Sequence, residues 1–281
     1  MDSFKSLDQI IKLALEEDCA RNDITSKALI GQGRKARGYI IAKEPGIIGG
    51  LFLVPRIYKF ISKNVHIAIK AKEGESVKEG RVLATMSGDA RAILAGERTV
   101  INFLQRVCGI ATYTNKFIQQ IRGFRTKLLD TRKTVPGWRS LDKYAVKLGG
   151  GTNHRMNMAE SFLIKDNHKK LISLENITKM MTGLKKYKKV IEVEVETIDE
   201  LVQVLRVRPT VIMLDNMDLK TITQAVKIVE GMPAGQRPLL EVSGGVNLRN
   251  VRNIAKTDVD FISVGAITHS APALDISLEI E

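Results

Sequence analysis

Residues 128–168 read LLDTRKTVPGWRSLDKYAVKLGGGTNHRMNMAESFLIKDNH. Two short apolar runs, 127–129 and 161–164, bracket the stretch and have the length of buried strands. The first breaks into Asp130, Thr131, Arg132 and Lys133, and the second into Lys165, Asp166, Asn167 and His168. Between them, residues 144–148 have a helical pattern, followed by Gly149-Gly150-Gly151 and then His154 and Arg155. A single Lys or Arg after a strand is usually a solvated loop residue. Arg132, Lys133, His154, Arg155 and Lys165 gathered around a triple glycine point instead to a pocket for a multiply charged anion.

From this stretch to the C-terminus, strand and helix patterns alternate. Strands are expected at 127–129, 162–164, 190–196, 211–214, 239–242 and 261–264. Helices are expected at 173–182, 198–205, 219–229 and 248–256. Such βα repetition argues for a parallel sheet with helices outside, and charged or Gly-rich residues after each strand favour a (β/α) barrel over an open sheet. Barrels of this kind carry their active sites at the C-terminal ends of the strands.

Four later strands add chemistry. In residues 190–196, Glu192, Glu194 and Glu196 alternate with Ile191, Val193 and Val195. If the aliphatic face meets the helices, the glutamates point into the barrel, where they need cations or a metal as partners. An exposed edge strand is the blander explanation. Asp215 ends an apolar run, where a helix N-cap is the ordinary role. With Glu194 it could also hold Mg²⁺ beside a phosphorylated substrate, since Mg²⁺ takes one or two carboxylates plus substrate oxygens. Ser243-Gly244-Gly245 follows a strand and opens a helix, and Gly265, Ala266 and His269 repeat the arrangement one unit later. Two such turns in the last two units suggest a phosphate site, although His269 could simply cap a short helix.

Upstream, Ser6-Leu7-Asp8-Gln9 could cap a first helix carrying Ile10, Ile11, Leu13, Ala14 and Leu15. Strands are expected at 35–42 and 65–71. Residues 72–86 place glycines at turns between short strands and resemble half of a biotinyl or lipoyl carrier motif, without the lysine at a hairpin tip that a carrier needs. A long helix is expected at 90–109, with Arg98 off its apolar face, and a second helix at 112–121. The expected domain boundary lies near residue 110.

The chain has 281 residues, of which 44% are apolar and 27% charged, as in a globular protein with one large or two ordinary domains. Its net charge of +13 suggests anionic partners, whether nucleic acid, a membrane surface or phosphorylated metabolites. With aromatics at 5% and no nucleic-acid-binding module, phosphorylated metabolites are favoured over nucleic acid. Lys185-Lys186-Tyr187-Lys188-Lys189 reads as a solvated helix end. Cys19 and Cys108 fit no metal-ligand spacing and are expected to be reduced thiols. The N-terminal residues show no uninterrupted apolar run, and no segment reaches the roughly 18 apolar residues of a membrane span. A soluble, cytoplasmic protein is expected.

Taken in order, Glu97-Arg98-Thr99 with Asn102-Phe103-Leu104, TRKTVPGWR, KYAVKLGGGTNHR, LIKDNH, EVEVE, MLDNM, EVSGGV and SVGAITHSAPALDISLEI resemble the quinolinate phosphoribosyltransferase family over nearly the whole chain. Val135 and Trp138 depart from the Thr and Leu expected in that family's loop, which bears on loop packing and not on a charged role. The resemblance implies an N-terminal α/β sandwich (1–110, with 271–281 returning to it) and an incomplete α/β barrel (111–270). It implies Mg²⁺-dependent transfer of phosphoribosyl from phosphoribosyl pyrophosphate to quinolinate with decarboxylation, a step of NAD biosynthesis. By the same resemblance Arg132, His154, Arg155 and Lys165 would hold the quinolinate carboxylates, with a hydrogen bond from Thr131, and Lys133 would lie between the substrates. Glu194 and Asp215 would meet the ribose hydroxyls and Mg²⁺, while Ser243, Gly244, Gly245, Gly265, Ala266 and His269 would line the phosphate region. Arg98 would enter the site of a second copy in a homodimer or a larger assembly. A phosphoribosyltransferase of the same fold with another acceptor is the alternative.

Overall fold

A computed structural model describes residues 7–281, so the capping role expected of Ser6 lies outside the described residues. In chain order the strands are β1 (Lys35–Ala42), β2 (Gly46–Ile47), β3 (Val65–Ile69), β4 (Ser76–Val77), β5 (Val82–Asp89), β6 (Lys127–Leu129), β7 (Phe162–Ile164), β8 (Ile191–Val195), β9 (Val211–Asp215), β10 (Leu239–Ser243), β11 (Phe261–Ser263) and β12 (Ile276–Ile280). The chain forms two compact units. One comprises Met1–Asn115, Thr134–Gly150 and Ile267–Glu281, and the other Lys116–Lys133 and Gly151–Ala266. The second unit is therefore not a single run from 111 to 270, because residues 134–150 belong to the first.

The first unit is built on an antiparallel sheet in the order β12-β1-β5-β3. The C-terminal strand returns to it, with Ile280 opposite Gly38 and Ile276 opposite Ala42. Helices Leu53–Ile61 and Ala90–Gln120 bury Ile57, Tyr58, Ile93, Val100 and Leu104. They approach closely where Gly96 faces the Tyr58 ring, and the Tyr58 hydroxyl donates to the Ile93 carbonyl at 2.8 Å.

Residues 90–120 form one continuous helix and not the two expected. Gly109, where the first expected helix ends, lies inside the continuous helix as a contact point: a Cβ there would lie 2.1 Å from the Pro272 carbonyl oxygen. The Trp138 ring stacks on the buried Phe103 ring at 4.4 Å between centroids. Together with the Arg106–Asp142 pair (2.7 and 2.9 Å), this fixes the loop in which Val135 and Trp138 depart from the family pattern. Cys19 and Cys108 are free thiols; burial pushes that of Cys108 up to about 12, which leaves it unreactive.

The second unit is a six-stranded sheet in the order β6-β11-β10-β9-β8-β7, with parallel pairing throughout. β6 and β7 stand at opposite ends of the order, so the barrel is open between them. Thr152 bridges to Leu129 beside β6, exchanging hydrogen bonds with Leu128 and Asp130. Val193, Val195, Ile212, Leu214, Val242 and Ile262 are buried beneath the helices, and the alternate positions turn inward. Among the described residues, no helix is long and apolar enough to cross a membrane.

Candidate active site

At the C-terminal ends of these strands lies a pocket of about 640 Å³. Its lining includes Thr131, Arg132 and Lys133 after β6, His154 and Arg155 from the loop beside it, and Lys165 after β7. Glu194 on β8, Asp215 on β9, Ser243 at the end of β10 and Gly244 and Gly245 after it line it as well. The sheet thus gathers cations, carboxylates and a Gly-rich turn that are scattered over more than a hundred positions of chain.

The cations are held in different ways. Asp130, fully buried, accepts the His154 backbone N–H at 2.8 Å and anchors the loop that carries Arg155. Arg155 donates from Nη1 to the Ser161 carbonyl at 3.0 Å. The Nε atoms of Arg132 and Arg155 are buried without a hydrogen-bond partner among the described residues. A buried donor left unmade costs about 1–3 kcal/mol, so two of them in one pocket ask for an acceptor such as a carboxylate. Burial, and then the charge of Arg132, pull the Arg155 guanidinium below its ordinary pKa, while Glu192 opposes the shift. An anion bound between the two arginines would relieve both effects.

The carboxylates are partly paired already. Glu194 is 5% exposed; its Oε2 lies 3.2 Å from Lys165 Nζ, and its Oε1 accepts the Asp166 N–H at 3.4 Å. Asp215 accepts from Asn216 Nδ2 at 2.7 Å. The inward alternation expected of β8 holds for Glu192 and Glu194, both buried, which rules out an exposed edge strand; Glu196 is exposed at the pocket mouth. As hard oxygen donors on adjacent strands, Glu194 and Asp215 suit Mg²⁺.

His154 is more constrained than its sequence position suggested. Its Nδ1 accepts the Arg155 N–H at 2.8 Å, which leaves the ring proton on Nε2, 2.9 Å from Glu192 Oε2. To donate to a bound carboxylate, the ring would have to give up one of these bonds.

The remaining expected residues lie elsewhere. Gly265 and Ala266 follow β11 but do not line the pocket. His269 belongs to the first unit, where its Nδ1 is 2.6 Å from Ser270 Oγ. Arg98 is exposed in the first unit, beside a separate pocket with Asn102, Phe103 and Trp138. Sequence reasoning missed Asn216, whose backbone is left-handed (φ 54°) and whose side chain fills the space above Gly244. It also missed Glu241, although Leu240-Glu241-Val242 places a charge within a buried strand and could have raised the question.

Comparison with known proteins agrees with this geometry. Residues 23–108 match the family model described as the quinolinate phosphoribosyl transferase N-terminal domain, and residues 110–279 match that of the C-terminal domain. The chain is 34% identical over 282 residues to the nicotinate-nucleotide pyrophosphorylase [carboxylating] of Mycobacterium leprae, covering 99% of this chain and 98% of that one. It is 36% identical over 297 residues to the mitochondrial quinolinate phosphoribosyltransferase [decarboxylating] 2b of Nicotiana tabacum, covering 98% and 82%. The structure of the nicotinate-nucleotide pyrophosphorylase from Francisella tularensis superposes with a TM-score of 0.89 at 38% identity, covering 97% of this chain and 95% of that one. The match runs through both domain models and nearly the full length of these relatives: the chain belongs to the quinolinate phosphoribosyltransferase family of pentosyltransferase enzymes.

Proposed function

We propose that this enzyme transfers the phosphoribosyl group of phosphoribosyl pyrophosphate to the ring nitrogen of quinolinate, with Mg²⁺, and releases pyrophosphate, CO₂ and nicotinate mononucleotide. The observation that carries this reading is the pair of buried, unpartnered Nε donors on Arg132 and Arg155, in the pocket that also holds Glu194, Asp215 and the Gly244-Gly245 turn. A dianion and a polyanion both need such a cationic cavity.

Arg132, Arg155 and Lys165 take the quinolinate carboxylates. Thr131 Oγ1 accepts the Lys133 N–H at 3.0 Å and has its hydroxyl hydrogen to donate to substrate. His154 shapes the carboxylate subsite, and Lys133 stands between the two substrates. Ser243, Gly244 and Gly245 offer backbone N–H groups to phosphate. As the bond to pyrophosphate breaks, ribose C1 gains oxocarbenium character, which Glu194 and Asp215 stabilise electrostatically. Glu194 and Asp215 would hold Mg²⁺, which neutralises charge on the leaving pyrophosphate when bound. After transfer the quaternised ring nitrogen is cationic, so the electron pair left at C2 by departing CO₂ is stabilised until a proton arrives. Arg98, exposed on its helix, reaches the site of a second copy in a homodimer.

The test is product identification: protein, quinolinate, phosphoribosyl pyrophosphate and Mg²⁺ should yield nicotinate mononucleotide by chromatography, and a chelator should abolish it. Conversion of another acceptor, with quinolinate unused, would replace this reading with a different acceptor specificity.

A further inference from the structure

Beneath the pocket lies a group of side chains that the reaction above does not use. Glu192 on β8, Glu241 on β10 and Ser263 on β11 are 2%, 1% and 4% exposed. The glutamates stand one inward position below Glu194 and Ser243. Both carboxyl groups meet the same imidazole: His154 Nε2 lies 2.9 Å from Glu192 Oε2 and 3.6 Å from Glu241 Oε2. Ser263 Oγ donates to Glu241 Oε1, while Glu192 Oε1 is buried without a hydrogen-bond partner among the described residues. Two ionised carboxylates so close, away from water, repel strongly unless a proton or cation lies between them. The histidine is not that cation, because its Nδ1 is already an acceptor for the Arg155 N–H.

We propose that Glu241 is a positioning residue of the quinolinate pocket: as a carboxylic acid that keeps its proton, it closes a Ser263–Glu241–Glu192–His154 chain. The chain locks the His154 ring and leaves one negative charge, not two, behind Arg132 and Arg155. The proposal rests on quinolinate as the substrate. Burial first, and then the charge of Glu192, push the Glu241 carboxyl up to about 8, opposed by His154 and Ser263. The groups that act on the Glu241 carboxyl are Glu192 from β8, Ser263 from β11 and His154 from the loop beside β6, while Arg132, Arg155, Lys165, Glu194 and Asp215 line the pocket above. Arg155 already feels the charge of Glu192, so a second carboxylate beneath it would weaken the pocket's hold on a dianion.

The three ligand atoms, all within 4.8 Å of one another, could instead surround a cation. The 2.9 Å His154–Glu192 separation speaks for a hydrogen bond. Neighbouring ligands about 2.0 Å from a tetrahedral zinc stand about 3.3 Å apart.

The test measures quinolinate binding by calorimetry, and steady-state kinetics for both substrates, from pH 6 to 9 in wild type, Glu241→Gln and Glu241→Ala. In wild type the quinolinate Kd should rise about tenfold between pH 7 and pH 9 as a second charge forms. Glu241→Gln, which cannot ionise, should keep most of the affinity at pH 7 and lose that rise. Glu241→Ala should raise the quinolinate KM about tenfold or more and leave the phosphoribosyl pyrophosphate KM unchanged. The same alkaline rise in Glu241→Gln, equal loss in both variants at pH 7, or one zinc per chain by elemental analysis would overturn the proposal. ¹⁵N NMR of the His154 ring separates the tether from the substrate assignment: a neutral Nε2–H tautomer from pH 6 to 8 is expected whether or not quinolinate is accepted, and an imidazolium there would sink the tether alone.

Discussion

The Lys165 ammonium lies 3.2 Å from Glu194 Oε2, joining an exposed cation after β7 to a buried carboxylate on β8. The lysine thus lines the pocket while already paired with one of the protein's own carboxylates. Lys165→Met should leave Glu194 without its cation and lower kcat/KM for both substrates. Because the pair is half open to solvent, its coupling should be modest, about 1 kcal/mol in a double-mutant cycle with Glu194→Gln. Strict additivity would show that the two act independently.

The arginines should behave differently. Arg132→Ala and Arg155→Ala remove charge-assisted, fork-shaped donors whose Nε atoms are buried without a hydrogen-bond partner among the described residues. Each should raise the quinolinate KM by about 10²-fold, corresponding to about 2.7 kcal/mol, with a smaller effect on kcat. Lysine at either position should rescue poorly, because a point charge cannot supply the planar fork. An unchanged quinolinate KM would remove the residue from the carboxylate subsite.

Gly244 has a positive φ of 91°, and a Cβ there would lie 2.1 Å from Asn216 Oδ1 and 2.8 Å from the Asn216 backbone nitrogen. Gly244→Ala should lower stability by about 1–3 kcal/mol and raise the phosphoribosyl pyrophosphate KM more than the quinolinate KM. Thermal unfolding and initial-rate kinetics check both parts. An effect on quinolinate alone would displace the phosphate site from this turn.

Stability should depend on pH through Glu241. Its carboxyl binds a proton more tightly in the folded chain than the ordinary value of 4.5, up to about 8. Folding therefore takes up a proton between those limits, and stability falls as pH rises across that window. Urea midpoints should show this decline in wild type and a shallower one in Glu241→Gln.

Much of this architecture is written locally. The strands of the second unit announce themselves as short apolar runs, and each ends in the residues that line the pocket, so both the βα alternation and the cation cluster can be read directly. What could not be read depends on contacts between distant residues. The helix runs on past Gly109, and no local signal marks the close approach of Pro272 there. Residues 134–150 sit inside the barrel's stretch of sequence but pack, through Trp138 on Phe103 and Asp142 on Arg106, with the first unit. Glu241 resembles an ordinary strand residue until His154 and Glu192 converge on it. The opening between β6 and β7 likewise follows from pairing order, which hydrophobic pattern alone does not encode.

The most direct test of the central claim is release of labelled CO₂ from quinolinate carrying the label in its 2-carboxylate, with phosphoribosyl pyrophosphate and Mg²⁺ supplied together or singly. The account predicts release only when both are present, one CO₂ for each nicotinate mononucleotide, and its loss in Arg155→Ala at low quinolinate concentration. No release from folded protein, or release independent of phosphoribosyl pyrophosphate, would contradict it.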